Sequence, residues 1–417
     1  MEVVELINTI IGIAFAVCYA YQFFYIPISL FGRGKRHKEG KPHKIAILIS
    51  ARDEALVIEN LIDSINKQTY ERELIKIFLV ADNCTDNTAH IARKLGAVVY
   101  ERENKEKVGK GYALEYLYEC IVRDFGEDGF DAYLVVDADN VLTPNYVEEM
   151  NKTFSDGYEI VTCYRNSKNY GDNWISAGYG LWFLRESVYL NGARMTLNTS
   201  CAVSGTGFMF ASSVIKETGG WKFFLLTEDI EFTIYNVLKG RKIGYAKNAM
   251  LYDEQPVTFR QSWTQRMRWA KGYLQVIKKY GLKLVKNIFS KKFSSCYDMT
   301  MVILPAVVST VLSILTLLGG LIYGLVTKTD LTPLGIMALK TLGTIYLTVY
   351  IVGLLATITE WKRLRTNAFK KILYTFTFPL FMMTYIPISI VAVFKRVEWK
   401  HIDHKRSISI DQIQDKK

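Results

Sequence analysis

The chain is poor in the residues that would tie it to several common classes. Its six cysteines, at positions 18, 84, 120, 163, 201 and 296, form no Cys-x-x-Cys pair, and no histidines fall at metal-ligand spacing. That excludes a disulfide scaffold and a zinc finger, and fits reduced thiols in a protein facing the cytosol. No Gly-x-Gly-x-x-Gly opens the first helix-like segment, which argues against a dinucleotide-dependent dehydrogenase. Aromatic RNA-binding signatures are also missing, so the formal charge of +11 is not read as a nucleic-acid footprint. Long stretches at both ends lack ionisable side chains almost entirely, and that absence says where the chain belongs.

Residues 6–31 carry no charge and are followed at once by Arg33, Lys35, Arg36 and Lys38. Such a run is long enough to cross a hydrocarbon core of about 30 Å. A signal peptide would place its cations before the apolar run and would be shorter. Further apolar stretches occupy residues 300–326, 334–358 and 372–394, with basic segments at 278–292 and 361–371 beside them. Cations that border apolar spans point to anionic lipid and to a cytoplasmic face. The expected organisation is a transmembrane helix over 1–32, a catalytic domain over 44–275 and an interfacial helix over 282–294. Transmembrane or interfacial helices over 300–394 and a basic tail over 395–417 would follow. Four crossings from an external amino terminus would leave that tail outside, against the positive-inside rule; Pro379 and Pro387 offer a break in the last stretch.

Between the spans, apolar runs alternate with helix-like segments. Residues 44–50, 75–81, 97–100 and 132–136 read as buried strands, and 56–68 and 85–95 as helices, which implies a doubly wound α/β sheet. Ligands of such sheets lie beyond the carboxyl ends of the strands. Polar residues gather at those ends: Arg52, Asp53 and Glu54, then Asp82 and Asn83, then Asp137 and Asp139. An acidic crevice in a basic protein needs a cation to hold a phosphate, and carboxylates suit magnesium or manganese.

Each motif also has a plain structural reading. Asp137-Ala-Asp139 is a metal site or a turn before Pro144. Lys107-Val-Gly-Lys110-Gly111 is a phosphate-contacting loop or an ordinary one, since it lacks the full P-loop spacing. Thr227-Glu228-Asp229 is a helix cap or supplies a general base for an acceptor hydroxyl. Gln265-x-x-Arg268-Trp269 is part of a basic amphipathic helix, which accounts for Arg266 and Lys271, or it joins a cation to an aromatic face. The second arrangement suits a departing diphosphate and a sugar ring.

Taken in order, Ser50-Ala51-Arg52-Asp53-Glu54, Asp82-Asn83, Asp137-Ala138-Asp139, Gly205-Thr206-Gly207, Thr227-Glu228-Asp229 and Gln265-x-x-Arg268-Trp269 resemble the family-two glycosyltransferases of the cellulose, chitin and hyaluronan synthase group. The resemblance spans roughly residues 44–275. It implies a GT-A-type nucleotide-sugar domain with a Rossmann-like sheet, flanked by transmembrane α-helices, in the plasma membrane with its catalytic domain in the cytoplasm. It implies a UDP-sugar donor held by Ala51, Arg52, Glu54, Asp82, Lys110 and Asp137, with a divalent metal (Mg2+ or Mn2+) on Asp137 and Asp139. Asp229 beside Glu228 would be the base; Thr227, Gln265, Arg268 and Trp269 would form the pyrophosphate and acceptor subsite. The implied activity is an inverting β-hexosyltransferase, processive on a growing polysaccharide, with single addition to a lipid-linked or short acceptor as the alternative. Membrane lipid and accessory export proteins are the implied partners. The chain departs from that group in having no clear gating-loop motif and no cyclic-dinucleotide domain, and Trp399-Lys400 followed by Arg406 only loosely matches the tail motif of hyaluronan synthases.

Overall fold

The computed structural model of the chain describes residues 2–32, 40–290, 292–402 and 404–415. The cationic flank Arg33, Lys35, Arg36 and Lys38 therefore lies outside the described residues. A first helix, α1 (Glu2–Phe31), leads into β1 (Ile45–Ala51), α2 (Ile58–Asn66), β2 (Ile75–Asp82), α3 (Thr88–Lys94) and β3 (Val98–Arg102). Helix α4 (Lys110–Phe125), β4 (Ala132–Asp137), β5 (Val141–Leu142), α5 (Tyr146–Ser155) and β6 (Ile160–Ser167) follow. The next helical stretch is α6 (Trp174–Leu184), a π-helical segment (Arg185–Asn191) and α7 (Gly192–Thr196). Strand β7 (Phe208–Ala211), α8 (Ser212–Glu217), α9 (Glu228–Lys239) and β8 (Ile243–Asp253) complete the domain.

These strands make one sheet in the order β3-β2-β1-β4-β7-β6-β8-β5. The first four are parallel, as their continuous apolar runs predict, because helices cover both faces. The doubly wound expectation stops there: β7 runs antiparallel to both β4 and β6, and β5 runs antiparallel to β8. The strands after Asp137 are buried on nearly every residue, so no alternation marks them in the sequence.

Helix α10 (Phe259–Ile288) leads to α11 (Phe293–Ile303), α12 (Pro305–Thr327), α13 (Thr332–Thr359), α14 (Ala368–Met383) and α15 (Tyr385–Phe394), before the short tail helix α16 (Ile410–Asp415). Residues 282–294 do not form a separate interfacial helix. Most of them are the last turns of α10, which no proline interrupts, with Leu282 and Phe289 exposed. By length and composition four helical stretches among the described residues can cross a membrane: Glu2–Phe31, Phe293–Thr327, Thr332–Thr359 and Ala368–Phe394.

The last of these is broken at Thr384, and both of its ends meet the catalytic domain. Near its start Lys370 Nζ donates to Gly171 O at 2.7 Å; midway, Phe381 packs on Gly178; beyond its end Trp399 lies over Arg52 at 5.0 Å. Arg266 and Lys271, which a basic surface helix would point at headgroups, turn inward instead. Arg266 donates to Phe381 O and Thr384 Oγ1 in the break, and Lys271 donates to Ala392 O at the end of α15.

Helix α1 is held to the domain by a buried charge pair. Asp298 of α11 accepts from both Arg194 Nε (2.7 Å) and Nη2 (2.9 Å), and from the hydroxyls of Tyr21 and Tyr25. Removing one member leaves the other charge buried and unmatched, at a cost of about 3–5 kcal/mol. Asp298→Ala is therefore expected to lower the melting temperature of the detergent-solubilised protein substantially, while Tyr21→Phe, which removes one donor from an already paired carboxylate, shifts it much less.

Candidate active site

The carboxyl ends of β1, β2 and β4 open onto one crevice, and the backbone turns sharply there. Asp53 after β1 and Asn83 after β2 have φ of 53° and 54°, in the left-handed region that few side chains favour. Asn83 holds its turn through its own side chain, which donates to Asn104 O and accepts from Asn104 N. The neighbouring Asp82 is buried and accepts from Arg102 Nη1 at 2.5 Å, leaving Oδ2 facing Arg52 at 3.9 Å. Ala51, Arg52, Glu54 and Asp82 all line the same cavity of about 530 Å3.

Its floor is the loop after α7. Thr206 Oγ1 accepts from Asp137 N at 2.9 Å and donates to Asn140 Oδ1, which fixes the end of β4. Gly205 and Gly207 have φ of 77° and 68°, and a side chain on Gly207 would collide with Leu251 and Cys163, so the turn requires glycine. Gly205 N donates to Asp229 Oδ2 at 2.6 Å, and Gly205 O accepts from Lys110 Nζ at 2.8 Å. The loop thereby ties the first residue of α4 to the first turn of α9.

Lys110 stands among the carboxylates, 2.5 Å from Asp137 and 4.0 Å from Glu228. Burial opposes its charge, but Asp137 and Glu228 hold the ammonium above the ordinary lysine range. Burial pushes Glu228 up to about 7 despite Lys110, and it also raises Asp229 against the pull of the Ile230 and Gly205 amides. The Thr227-Glu228-Asp229 segment is a helix start, but Thr227 makes no side-chain cap, and its Oγ1 is buried with no hydrogen-bond partner among the described residues. What presses on it is α10: a side chain added at Gly272 would come within 2.5 Å of the Thr227 side chain, and Leu226 N donates to Gln275 Oε1.

The same helix brings Gln265, Arg268 and Trp269 to the cavity. Gln265 Oε1 and Arg268 Nε are buried with no hydrogen-bond partner among the described residues. Trp269 meets Tyr179 and Phe183 edge-on, at ring-centroid distances of 5.7 and 6.0 Å.

The structure adds residues that sequence reading did not assign to the site. The tail returns across the crevice, where His404 Nδ1 lies 2.9 Å from Glu54 Oε1 and His404 Nε2 lies 4.0 Å from Asp139 Oδ2. Burial works against charge on His404, yet Asp139 and Glu54 raise it to about 10; burial raises Glu54 to about 7. Asp139, which burial alone would raise, is held below the usual carboxylate range by His404 and Lys168. Glu254, at the end of β8, donates its amide to Asp139 Oδ2 at 2.8 Å and accepts from the amides of Lys405 and Arg406. Arg165 pairs with Asp253 and lies over the Phe183 ring at 3.5 Å. Of these tail residues, Trp399, which lies over Arg52, and Arg406 had a signal in the sequence.

A candidate cation cluster elsewhere has a simpler explanation. Asp53, Cys84 and Asp86 place ligand atoms within 4.8 Å of one another, and among the described residues no other such trio occurs. Asp53 Oδ1 accepts from Thr85 N at 2.6 Å, while Asp86 accepts from Thr88 N and Ala55 N, so these carboxylates serve the turns.

Comparison with known proteins shows the family and the fold. Residues 42–272 match the model of glycosyltransferase-like family 2. A probable glycosyltransferase of Sulfolobus acidocaldarius is 24% identical over 74% of this chain and 68% of its own length. A poly-beta-1,6-N-acetyl-D-glucosamine synthase of Staphylococcus aureus is 25% identical over 56% of this chain and 55% of its own, so just over half of that relative is spanned. Among solved structures, the mannosyltransferase PcManGT of Pyrobaculum calidifontis, determined with GDP-Man and Mn2+, superposes with a TM-score of 0.55. It is 13% identical and covers 94% of this chain and 99% of its own, a likeness of fold. With more than half of its length matched, the chain belongs to glycosyltransferase-like family 2 and is a hexosyltransferase of the GT-A fold.

Proposed function

We propose that the protein transfers a hexose from a UDP-sugar with inversion, and that Asp229 takes the proton of the acceptor hydroxyl. The observation that carries this reading is the pairing across one cavity of a raised carboxylate pair on α9 with the unpartnered Gln265 and Arg268 on α10. A buried guanidinium nitrogen and amide oxygen without partners are costly unless a ligand satisfies them, and a diphosphate with its sugar supplies both an acceptor and a donor. The acceptor oxygen bonds to the anomeric carbon and its proton passes to Asp229. The nucleotide diphosphate leaves with the bonding pair, towards Arg268. Asp82 and Arg52 would contact the nucleobase, with Trp399 against Arg52.

A divalent cation, magnesium or manganese, would be held by the carboxylates of Asp137 and Asp139, and when bound it would supply neutralising charge to the diphosphate.

Two outcomes of transfer remain distinct. Processive extension of a polysaccharide is supported by Gln265, Arg268 and Trp269 on one helix, which would keep a sugar chain seated. Single addition to a membrane-borne acceptor is favoured by the aliphatic residues of the cavity lining, Ile303, Val311, Ile314, Ile386, Ile390 and Val393, which stand beside Thr310, Ser389 and Tyr385.

The contacts of the broken α14–α15 stretch with the catalytic domain support three crossings, by α1, α12 and α13, with that domain, the 361–371 segment and the tail all in the cytoplasm. This arrangement satisfies the positive-inside rule that four crossings violate. A cysteine placed at Thr329, between α12 and α13, is expected to react with an impermeant maleimide added outside intact cells, and one at Lys400 is not. Labelling at both positions would refute it.

With manganese and a panel of UDP-sugars, the purified protein is expected to release UDP and yield a product whose size separates polymer from single addition. Asp229→Asn should lower transfer by about 10²–10⁴-fold, the range for a positioned base, while UDP binding measured by calorimetry stays within a few-fold. Equal loss of both would make Asp229 structural. The pH dependence has a definite sign. Burial raises Glu228 to about 7 and raises Asp229 as well, so a proton held in acid is lost as pH rises. The transfer rate should therefore climb as pH rises, and a rate that falls with rising pH from the acid side would exclude Asp229 as the base.

A further inference from the structure

Among the described residues Asp229 takes one side-chain hydrogen bond from outside its own helix, the 2.6 Å bond from Gly205 N to Oδ2. The backbone that presents this amide is under strain. Thr206 N donates back to Ser204 O at 2.9 Å across Gly205, whose φ is 77°, and a three-residue turn of that hand is rare and costly. Such a turn persists only where its surroundings over-determine it. Lys110 holds one side of it through Gly205 O, and Asn140 holds Thr206 Oγ1. The Ser204 side is held by two side chains of opposite charge. Arg165 Nη1 donates to Ser204 O at 2.9 Å, and Ser204 Oγ donates to Glu186 Oε2 at 2.9 Å.

Arg165 is placed for this by the sheet. It lies on β6 just past a break in the register with β8 between Cys163 and Tyr164, an irregularity of the kind that re-aims side chains, and it lines the cavity. Its Nε and Nη2 both donate to Asp253 Oδ2 at the end of β8, and its plane lies 3.5 Å from the Phe183 ring centroid. Those contacts fix the direction of Nη1, which meets Ser204 O. Each nitrogen of the guanidinium therefore has a protein partner, whereas Arg268 Nε has none among the described residues. Arg165 is committed to the loop, and Arg268 is left for a ligand. A lysine at position 165 would keep the charge but, with one nitrogen and no rigid fork, could not span Asp253 and Ser204 together.

We propose that Arg165 is a positioning residue for the transfer: by holding Ser204 O it keeps the strained 204–206 turn in the one shape whose amide meets Asp229, and so aims the base at the acceptor hydroxyl. This rests on the reading of Asp229 as the base. Arg165 touches neither substrate and moves no proton. It acts through Ser204 and Gly205, and Glu186 steadies the same turn from its other side. The tie also runs to the opposite wall, because Glu254, next to the Asp253 that orients Arg165, donates its amide to Asp139. One guanidinium thus sets the base against the carboxylates at the end of β4.

Hydrogen exchange of the detergent-solubilised full chain, read by mass spectrometry, tests the tie without donor or turnover. In Arg165→Lys the peptide carrying Gly205 is expected to exchange about tenfold faster, the loss of one charge-assisted hydrogen bond, while peptides of β1 and β4 keep the wild-type rate. UDP release with manganese, from UDP-glucose and from UDP-N-acetylglucosamine, tests the consequence. Arg165→Lys should lower the rate at saturating donor by about 10²-fold, as a small misplacement of a reacting group does, and leave donor KM and UDP affinity within a few-fold. Added to Asp229→Asn, it should cost little more than Asp229→Asn alone, because two changes that act through one group do not add. Ser204→Ala, a milder change that drops only the Glu186 bond, should show the same pattern at about fivefold. Unchanged exchange at Gly205 would overturn the proposal. So would a donor KM that rises as much as the rate falls, which would assign Arg165 to the donor, or losses that add fully in the double variant. An Asp229→Asn protein as active as the wild type would refute the base and the proposal together, a result told apart from the others because Gly205 would still exchange faster in Arg165→Lys.

Discussion

Arg266 sets its guanidinium into the break between α14 and α15, donating to Phe381 O at 3.0 Å and to Thr384 Oγ1 at 2.5 Å. A helix that ends away from water leaves its last carbonyls unmatched, and in an apolar layer that is costly. Arg266 supplies the missing donor at the break, stacking on the Phe381 and Tyr385 rings, and Lys271 does the same at the far end of α15. Both cations belong to α10, the helix that carries Gln265, Arg268 and Trp269. The bent α14–α15 element and the cavity wall that carries Gln265, Arg268 and Trp269 are therefore one mechanical unit, and Gly272 lets that unit close on Thr227.

The opposite wall is governed by charge. Carboxylates converge from β1, β4, α9 and β8, and the chain answers them with Lys110, Arg165 and His404. His404 arrives from the tail, which anchors beyond it through Arg406 to Asp172, Lys67 to Asp411, and Ile410 and Ile413 against Val141 and Tyr252. A segment that reads in sequence as a solvated basic end is, in the fold, a strap across the cavity.

How much of this was legible depended on whether the signal was local. Strands β1 to β4 appear as apolar runs ending in polar turns, so Asp82, Asp137 and Asp139 were placed at the sheet edge from sequence alone. Strands β6 to β8 lack alternation because both faces are covered, and the switch to antiparallel pairing at β7 has no local mark, which hid Arg165, Asp253 and Glu254. His404 lies far along the chain from both Glu54 and Asp139, with nothing around it resembling a ligand motif. Arg266 and Lys271 fitted a surface helix because composition records that a cation is present, not which carbonyl it meets.

The central claim is a single displacement with Asp229 as base, and the configuration of the first bond formed tests it most directly. With an α-linked UDP-sugar as donor, proton NMR of the isolated product should show the new anomeric proton with the coupling of a β-glycoside. An α-linked product would mean retention, which one base opposite one leaving group cannot deliver, and would contradict the account.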